Sequence, residues 1–381
     1  MSAHPEKLSA PSFLYLNLTE KCNLRCTHCY GFFGSEKEGE LGKDDFQRII
    51  KELSKIGVFY ANICGGEPTQ SPYFKDVLQF LQEEKLHYML TTNGLMSNNL
   101  LEYIHTYGEY LISVKISLDG FNADTHGVIR KGSVTMSEEA IFRQTVHSIR
   151  FFQERGYPIT VATSLHRQTL EQLPQLLQLM LELKPTAWYL SPITENGRAL
   201  ENRELFGDLN VYRDMLKDVF EIAQENNIIV KLVDIVLDDR EYENFSFDCG
   251  AALAHCEIHA DGTVSPCTLS RLTIHQKYFD FPNIKQNTLK DIWESEPFER
   301  FRKYQTMGCS GCKSFTSCNR CVANIFQYYG DPLQIPTFCN SIHEKLGVKP
   351  NVPSKIEQGL IQIEINLTYP FSTRRELYPF V

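Results

Sequence analysis

Three cysteines lie close together near the start of the chain, at Cys22, Cys26 and Cys29, with the spacing Cys-x3-Cys-x2-Cys. Three thiolates on one short loop can each bind one iron of a four-iron cubane, which leaves the fourth iron without a protein ligand. An iron with an open coordination position can bind a substrate or a cofactor directly. The alternative is a zinc site that takes its fourth ligand from His28, because zinc usually has four tetrahedral ligands. The spacing alone leaves both interpretations open.

A second group of cysteines lies near the other end of the chain, where eight of the twelve fall between Cys249 and Cys339. Gly, Pro, Ser and Asn are frequent there, and two Cys-x2-Cys pairs occur, which suit iron–sulfur clusters or structural zinc. We therefore expect a loop-rich domain that is held together by something other than a large apolar core. Cys64 belongs to neither group and is expected to be a small buried hydrophobic residue.

Composition and charge exclude several classes of protein. A chain of 381 residues can bury a full core without disulfides, so its cysteines are expected to be reduced in the cytoplasm and to act as metal ligands or nucleophiles. The sequence has no apolar run of 18 residues and no signal-peptide pattern at its start, so neither membrane insertion nor secretion is expected. The net charge of -9 argues against a general nucleic-acid binder.

The elements that must position the first cysteines are alternating short strands and amphipathic helices, from residue 13 to about 232. This alternation predicts an α/β fold with a parallel sheet, as an open barrel or a wound sheet. The predicted strands are 13–18, 58–63, 87–92, 111–118, 159–165 and 187–190. The predicted helices are 44–56, 73–84, 138–155 and 170–183. Gly57 and Gly156 are expected to end two of these helices in left-handed caps.

The cysteine loop and the segment Gly65-Gly66-Glu67-Pro68, which follows the second strand, together resemble the radical S-adenosylmethionine (SAM) superfamily. The resemblance covers roughly residues 13–232 and implies a partial (β/α)6 TIM-type barrel with the functional residues at the carboxyl ends of its strands. It also implies a 4Fe-4S cluster whose open iron is chelated by SAM, with His28 near the adenosine. The residues implied to contact the methionine amino group are Gly65, Gly66, Glu67 and Pro68, since glycines allow close backbone approach and a carboxylate suits an ammonium.

A further segment, Ser117-Leu118-Asp119-Gly120 at the end of the fourth strand, is similar to the family's ribose-side segment. The resemblance implies that Ser117 and Asp119 bind SAM there. Arg130, a short distance further along the chain, is implied to pair with the SAM carboxylate.

The second group of cysteines, with Gly262 shortly before Cys267, resembles the seven-cysteine SPASM domain that follows many radical SAM domains. Two residues separate Cys318 from Cys321, where the usual pattern has three. The resemblance implies two auxiliary 4Fe-4S clusters with interleaved ligands, and Cys256 would supply a thiolate that the seven-residue motif lacks. The ligands implied for auxiliary cluster I are Cys249, Cys256, Cys267 and Cys321, and those for auxiliary cluster II are Cys309, Cys312, Cys318 and Cys339.

These resemblances together predict four segments. They are an N-terminal tail at 1–12, a radical SAM core at 13–240, a SPASM domain at 241–345 and a C-terminal tail at 346–381, with one further strand expected at 360–367.

The resemblance implies an oxidoreductase that cleaves SAM reductively and abstracts a hydrogen atom from its substrate with a 5′-deoxyadenosyl radical. Auxiliary clusters with four thiolates each would carry an electron away from the substrate radical or shape its site. An external donor of the flavodoxin or ferredoxin type is expected to supply the first electron.

The expected substrate is a peptide or protein, as for many SPASM enzymes. Sulfatase-maturing members have an Asp base directly after the second SPASM cysteine, and Thr268 at that position disfavours their activity. About twelve residues precede the first strand, too few for a fused leader-binding domain. The substrate would then be recognised by the barrel mouth, by the tail or by a separate leader-binding protein.

Two alternatives remain. One is a small-molecule radical SAM enzyme, such as one that modifies tetrapyrrole side chains, although the net negative charge disfavours a ligand with several carboxylates. Asn196-Gly197-Arg198-Ala199 is loosely similar to segments of both enzyme groups. The other alternative is a non-catalytic iron–sulfur or zinc protein. No catalytic acid or base is assigned, because Glu195, His259 and Asp261 are each expected to be ordinary surface residues.

Overall fold

The computed structural model describes residues 7–34, 37–132, 136–193, 196–209, 211–232, 250–271, 278–306, 321–323 and 326. The chain divides into two units. The first comprises residues 12–233 and 258–263, and the second comprises residues 1–11, 234–257 and 264–381. The predicted strand 360–367, Glu195 and five of the predicted cluster ligands lie outside the described residues. Those ligands are Cys249, Cys309, Cys312, Cys318 and Cys339.

The first unit alternates strands and helices as the sequence predicts. Its strands are β1 (Phe13–Asn17), β2 (Tyr60–Cys64), β3 (His87–Thr92), β4 (Leu111–Ser117), β5 (Ile159–Leu165), β6 (Ala187–Pro192) and β7 (Ile229–Leu232). Its helices are α1 (Lys43–Ile56), α2 (Phe74–Glu83), α3 (Asn98–Thr106), α4 (Ala123–Gly127), α5 (Glu138–Glu154), α6 (Arg167–Glu171), α7 (Leu173–Leu183) and α8 (Arg213–Glu225). Short 3-10 turns occupy Pro68–Gln70, Gly197–Glu201 and Arg203–Leu205.

Each strand of this unit pairs in parallel with the next one along the chain, from β1 to β7. A doubly wound sheet reverses its strand order at a switch point, whereas a barrel-type sheet does not. The consecutive strand order therefore indicates that the sheet is wound as in a barrel. The prediction of a partial barrel is confirmed, with β7 as one additional strand and with β1 and β7 left unpaired to each other.

The two faces of this sheet differ in chemistry. Alternate strand residues such as Leu16, Ile63 and Leu90 are completely buried and apolar. Successive parallel strands connected in the same direction carry their helices on one face, so these residues form the core beneath the helices. The opposite face carries buried and half-buried polar residues, among them Asn17, Asn62, Thr91, Lys115, Ser164 and Tyr189. This polar face is the side of the sheet that can receive a polar ligand.

The helix boundaries follow local sequence signals closely. Gly57 and Gly156 adopt φ values of 81° and 79°, which confirms the predicted left-handed conformation. The predicted helix 170–183 is wrong at its start, because the structure has two helices, α6 and α7. Pro174 lies in the first turn of α7, where its missing N–H costs no hydrogen bond, so a new helix begins there.

The second unit is built from short elements around aromatic side chains. They are β8 (His255–Ile258, whose last residue belongs to the first unit), β9 (Val264–Ser265), a 3-10 turn at Thr268–Arg271, α9 (Leu289–Trp293) and α10 (Glu296–Thr306). The Phe279 ring stacks on Phe281 at a centroid distance of 5.2 Å and lies 5.6 Å from Phe301. Trp293 and Phe298 are completely buried. This unit therefore has an apolar core of its own, contrary to the expectation from its cysteine-rich and loop-rich sequence.

Among the described residues, no helix is both long and apolar enough to cross a membrane.

Candidate cluster and cofactor site

Cys22, Cys26 and Cys29 lie on the loop that follows β1, and all three contact one apolar cluster. That cluster includes Leu24, Leu95 and Ile141. Burial raises the pKa of Cys22 to about 12 and that of Cys26 to about 11, so a metal that binds these thiols must displace their protons. A cubane would distribute the three thiolates over three irons, which three cysteines on one loop can provide.

The alternative of a single zinc ion gains no support from the described residues. Within them, no three Cys, His, Asp or Glu side chains are grouped so that they could hold one metal ion. Burial and, to a smaller extent, the positive charge of Arg130 lower the pKa of His28 to about 3. A tetrahedral zinc site needs its four ligands around one point.

The cysteine loop obtains hydrogen bonds from the segment that ends near Lys131. The Arg25 amide donates to the Lys131 carbonyl at 2.8 Å, and the Thr27 amide donates to the Ile129 carbonyl at 3.0 Å. An irregular loop needs such partners because its buried N–H groups have none within a helix or strand. These two hydrogen bonds thus join the cysteine loop to the 129–131 segment, which contains Arg130.

The Gly65–Pro68 segment packs directly against the backbone that enters the cysteine loop. The Gly66 amide donates to the Thr19 carbonyl at 2.8 Å, and the Glu67 amide donates to the Lys21 carbonyl at 2.9 Å. A Cβ added to Gly66 would lie 2.4 Å from the Lys21 oxygen. Gly65 has a φ of +140°, and its Cβ would lie 2.7 Å from the Thr19 oxygen. Both glycines are therefore required for this close backbone contact.

The Glu67 carboxylate is 1% exposed and connects the ends of β2 and β3. It accepts hydrogen bonds from the Thr69 hydroxyl at 2.7 Å, the Thr92 hydroxyl at 2.8 Å and the Asn93 amide at 2.8 Å. Burial raises the pKa of Glu67 although these donors favour the ionised form. The Asn93 side chain in turn donates to Asn23 in the cysteine loop at 2.7 Å. Pro68 is buried and begins the 3-10 turn after Glu67.

Asp119 and Arg130 form a buried ion pair with each other. The Ser164 amide donates to the second Asp119 carboxylate oxygen at 2.6 Å, and the Asp119 amide donates to His126 Nδ1 at 3.1 Å. Burial alone would raise the pKa of Asp119, but the Arg130 guanidinium, with the rings of His28 and His126, holds it at about 2. The structure therefore shows Asp119 as the ionic partner of Arg130.

The predicted SAM residues lie at or after the carboxyl ends of β1, β2 and β4, at one edge of the parallel sheet. Ser117 is the half-buried last residue of β4, and Asp119 follows two residues later. His28 lies in the cysteine loop, where burial and the charge of Arg130 lower the pKa of its ring and the charge of Asp119 raises it. Two solvent-shielded atoms of this loop, Thr27 Oγ1 and His28 Nδ1, have no hydrogen-bond partner within the described part of the chain. Such atoms fit a polar ligand, because buried polar groups are otherwise nearly always hydrogen-bonded.

Arg198 and Asn202 also contact the cysteine loop, and sequence reasoning did not identify them as site residues. Arg198 donates from Nε to the Cys26 carbonyl at 2.8 Å and from Nη1 to the Phe33 carbonyl at 3.0 Å. Asn202 donates to the Thr27 carbonyl at 3.2 Å. The only signal in the sequence was the Asn196–Ala199 similarity, since Arg198 lies 172 residues from Cys26 along the chain.

In the second unit the structure describes three of the predicted auxiliary-cluster cysteines. Cys256 on β8 is completely buried, and burial raises its pKa. Cys267 is half-buried, with its Sγ 3.2 Å from the Ser270 hydroxyl, and Cys321 is half-buried. These three are assigned to the same cluster by the resemblance.

Three other residues from the sequence analysis have structural environments of their own. Cys64 is half-buried, less than expected, because it lies on the polar face of the sheet with its Sγ 3.3 Å from Asn17 Oδ1. His259 was expected at the surface but is 3% exposed. Asp261 is exposed and accepts the Thr263 amide in a turn, as expected of an ordinary surface residue.

Two family models match the chain. The radical SAM superfamily model matches residues 16–180, and the SPASM iron-sulfur cluster-binding domain matches residues 249–322.

Two characterised relatives match over most of their length. The chain is 25% identical to the AdoMet-dependent heme synthase of Methanosarcina barkeri over 354 residues, which is 87% of this chain and 97% of the relative. It is 28% identical to the PqqA peptide cyclase of Rhodopseudomonas palustris over 359 residues, 90% of each chain.

Among solved structures, SuiB of Streptococcus suis bound to S-adenosylmethionine superposes with a TM-score of 0.69 at 20% identity. The match covers 87% of this chain and 78% of that chain. The likeness supports the fold.

Proposed function

Because the chain belongs to the radical SAM superfamily and carries a SPASM domain, we propose that it is a maturase that modifies a peptide or protein by radical chemistry. The observation that carries this proposal is the arrangement at the strand ends: the cysteine loop after β1, the Gly65–Pro68 segment after β2 and the Asp119–Arg130 pair after β4. When bound, the cluster and SAM would use one electron to give methionine and a 5′-deoxyadenosyl radical, which removes a hydrogen atom from the substrate.

Each group of residues has a distinct task in this proposal. Cys22, Cys26 and Cys29 hold three irons. The hydrogen bonds of the Glu67 carboxylate hold the Gly65–Pro68 backbone in place. This backbone presents polar main-chain atoms to the methionine amino group. His28 and Ser117 lie toward the nucleoside. Asp119 holds Arg130 in place through its Nε, and the Nη groups of the same guanidinium would donate hydrogen bonds to the SAM carboxylate.

The polar face of the sheet supports a peptide as the substrate class. The Thr91 hydroxyl donates to Asn62 Oδ1 at 2.9 Å, and the Lys115 ammonium lies 3.5 Å from the centre of the Tyr189 ring. Amide and hydroxyl side chains can both donate and accept hydrogen bonds, as peptide groups do. The PqqA peptide cyclase, whose name states a peptide substrate, matches over 90% of each chain.

A tetrapyrrole is the second candidate substrate. The AdoMet-dependent heme synthase matches over 97% of its own length. Lys115 and Lys231 lie on the polar face of the sheet, where they could meet propionate groups. The overall charge of -9 opposes a ligand with several carboxylates.

The remaining assignments complete the proposal. The second unit would hold two auxiliary 4Fe-4S clusters on the eight cysteines named above, within a SPASM domain at 241–345 that follows a radical SAM core at 13–240. A flavodoxin- or ferredoxin-type protein would donate the electron in the cytoplasm. A separate leader-binding protein would present the peptide.

The decisive experiment uses the anaerobically reconstituted, dithionite-reduced full chain with SAM, and 5′-deoxyadenosine is measured. We expect it to form in the wild type and not in Cys26→Ala. Short peptides encoded beside the gene and an iron tetrapyrrole with propionate side chains are then added separately. A mass change in the peptide supports the proposal, and a mass change in the tetrapyrrole alone favours the second candidate. No 5′-deoxyadenosine from protein with intact clusters would contradict both.

A further inference from the structure

Arg198 makes three hydrogen bonds to the cysteine loop, although it lies 172 residues from Cys26 along the chain. Besides the two guanidinium bonds to the Cys26 and Phe33 carbonyls, its own amide donates to the Cys29 carbonyl at 2.9 Å. One residue thus donates to the backbone carbonyls of two of the three predicted iron ligands, Cys26 and Cys29, and to the carbonyl of Phe33. An irregular loop lacks the regular backbone hydrogen bonds of a helix or strand, and the bonds from Arg198 take their place.

Two residues near Arg198 also contact the cysteine loop. Gly197 has a φ of +59°, and a Cβ there would lie 2.2 Å from the Cys29 oxygen, so only glycine lets the two backbones approach. Asn202 donates to the Thr27 carbonyl and also to the Arg198 carbonyl at 2.8 Å. We call Gly197, Arg198 and Asn202 the loop brace.

The guanidinium groups of Arg198 and Arg130 have different kinds of partner. Arg130 is neutralised by Asp119 in a buried ion pair. In the part of the chain that the structure describes, the Arg198 guanidinium bonds to carbonyl oxygens and forms no ion pair with a carboxylate. Among the described residues, Arg198 therefore brings to the loop a positive charge that no carboxylate pairs with.

An iron–sulfur cluster becomes more negative when it accepts an electron, and its reduction potential depends on net charge and hydrogen bonding around it. A half-buried fixed cation stabilises the more negative, reduced state. We infer that Arg198 is a positioning residue for the SAM-binding cluster: it holds the three-cysteine loop in place and raises the reduction potential of the cluster. The inference rests on the proposed binding of a 4Fe-4S cluster by Cys22, Cys26 and Cys29.

Three variants separate the two effects of Arg198. Arg198→Gln removes the charge and the guanidinium fork, whereas Arg198→Lys keeps the charge and loses the fork. Arg203→Gln removes an exposed cation from the adjacent turn and is the matched control. The midpoint potential of the SAM-responsive cluster is measured on holoenzyme by a redox titration followed with electron paramagnetic resonance. Hydrogen exchange of the amides of residues 22–34 is measured on the chain without iron.

We expect Arg198→Gln to have a more negative midpoint potential and loop amides that exchange about tenfold faster or more, as the loss of charge-assisted hydrogen bonds implies. Arg198→Lys should keep a potential near that of the wild type while its loop also exchanges faster. If Arg198→Gln does not retain the cluster, retention in Arg198→Lys at the wild-type potential supports the inference.

The inference is overturned if Arg198→Gln matches Arg203→Gln in both potential and exchange. If the variants show these shifts but the wild type produces no 5′-deoxyadenosine, only the proposed function is contradicted.

Discussion

At the scale of single residues, the candidate site consists of buried groups that set one another's charge state. The Asp119 carboxylate stays ionised because Arg130 compensates for its burial. His126 accepts the Asp119 amide at Nδ1, so its neutral ring carries its proton on Nε2. Burial lowers the pKa of His126 and of His166 to about 4. These histidines are therefore neutral in the folded chain over a pH range in which the unfolded chain binds protons.

The unfolding free energy is expected to fall as the pH falls from about 6.5 to about 4. In this window the unfolded chain protonates His126 and the folded chain does not, which costs up to about 1.4 kcal/mol per pH unit for one histidine. His126→Gln can still accept the Asp119 amide and should reduce this slope. The check is urea unfolding of both proteins at several pH values. Equal slopes in the two proteins would show that the ring is not held neutral by the fold.

Glu67→Gln is expected to weaken SAM binding and to destabilise the first unit by about 2 kcal/mol or more. Both carboxylate oxygens accept hydrogen bonds, so the amide nitrogen of Gln must face a donor wherever it points. Equilibrium dialysis with SAM and thermal unfolding measure the two effects. Glu52→Gln, an exchange at a half-buried position of α1, serves as the control. Wild-type binding by Glu67→Gln would contradict the role of Glu67 in supporting the Gly65–Pro68 segment.

At the scale of elements, the site depends on close contacts between backbone segments that follow different strands. The Gly65–Pro68 segment lies against residues 19–21, and the 129–131 segment bonds to the cysteine loop. In the second unit, α10 holds the turn between Gly250 and His255. Arg302 donates to the Ala252 carbonyl at 2.6 Å, and Gln305 donates to the Ala251 carbonyl at 2.9 Å. That turn lies between Cys249 and Cys256, two predicted ligands of one auxiliary cluster.

Gly66→Ala is expected to abolish SAM binding and to lower the unfolding free energy by several kcal/mol, because its Cβ would collide with backbone oxygens that cannot move independently. Gly57→Ala is the matched control. Gly57 has a positive φ but nothing within 4 Å of its added Cβ, so the substitution should cost only about 1 kcal/mol and leave binding unchanged. Equal losses at the two positions would show that the backbone of residues 20–21 moves to accept the added Cβ, so that the close contact does not decide the cost at Gly66.

Arg302→Leu is expected to destabilise the second unit by about 3 kcal/mol or more and to lower its iron content. The buried guanidinium donates to the Ala252 carbonyl and also to the Trp293 carbonyl at 2.6 Å, and both oxygens would lose their donor. Lys303→Leu removes an exposed charge from the same helix and should change neither property. Iron assay and thermal unfolding provide the measurements. Full iron content in Arg302→Leu would refute the role of α10 in holding this turn.

At the scale of the whole molecule, the cysteines are divided between two units with different surroundings. The first unit presents three thiols on one loop next to an apolar cluster. The second unit combines an aromatic core with the described cysteines Cys256, Cys267 and Cys321. The proposed open three-thiolate site and the proposed closed sites thus belong to different compact units of the chain.

Reconstituted protein is expected to contain about 12 irons per chain, four for each cluster. Replacing Cys22, Cys26 and Cys29 together by Ala should lower this by about four and abolish SAM cleavage. Cys256→Ala should affect an auxiliary cluster and leave the SAM-responsive signal in place. The iron assay and electron paramagnetic resonance distinguish these cases. A wild-type content near four would contradict the two auxiliary clusters.

The amino-acid sequence by itself determined the strand and helix alternation, the left-handed caps at Gly57 and Gly156 and the order of the motifs along the chain. These features depend on side-chain periodicity and backbone preference over a few residues, so they can be read locally. The cysteine spacing likewise defines three thiols on one loop without knowledge of the fold. The division of residues 170–183 into α6 and α7 had a local signal in Pro174, which the apolar periodicity obscured.

Only the tertiary structure decided which partners the site residues have. Arg130 pairs with Asp119, the Glu67 carboxylate bonds to the end of β3, and Arg198 reaches the Cys26 carbonyl across 172 residues of sequence. Such contacts leave no periodic signal, because they depend on which strand ends the parallel order of the sheet places side by side. A buried charge or carbonyl takes its partner from whatever the fold brings within about 3 Å, and that distance is set by the whole chain.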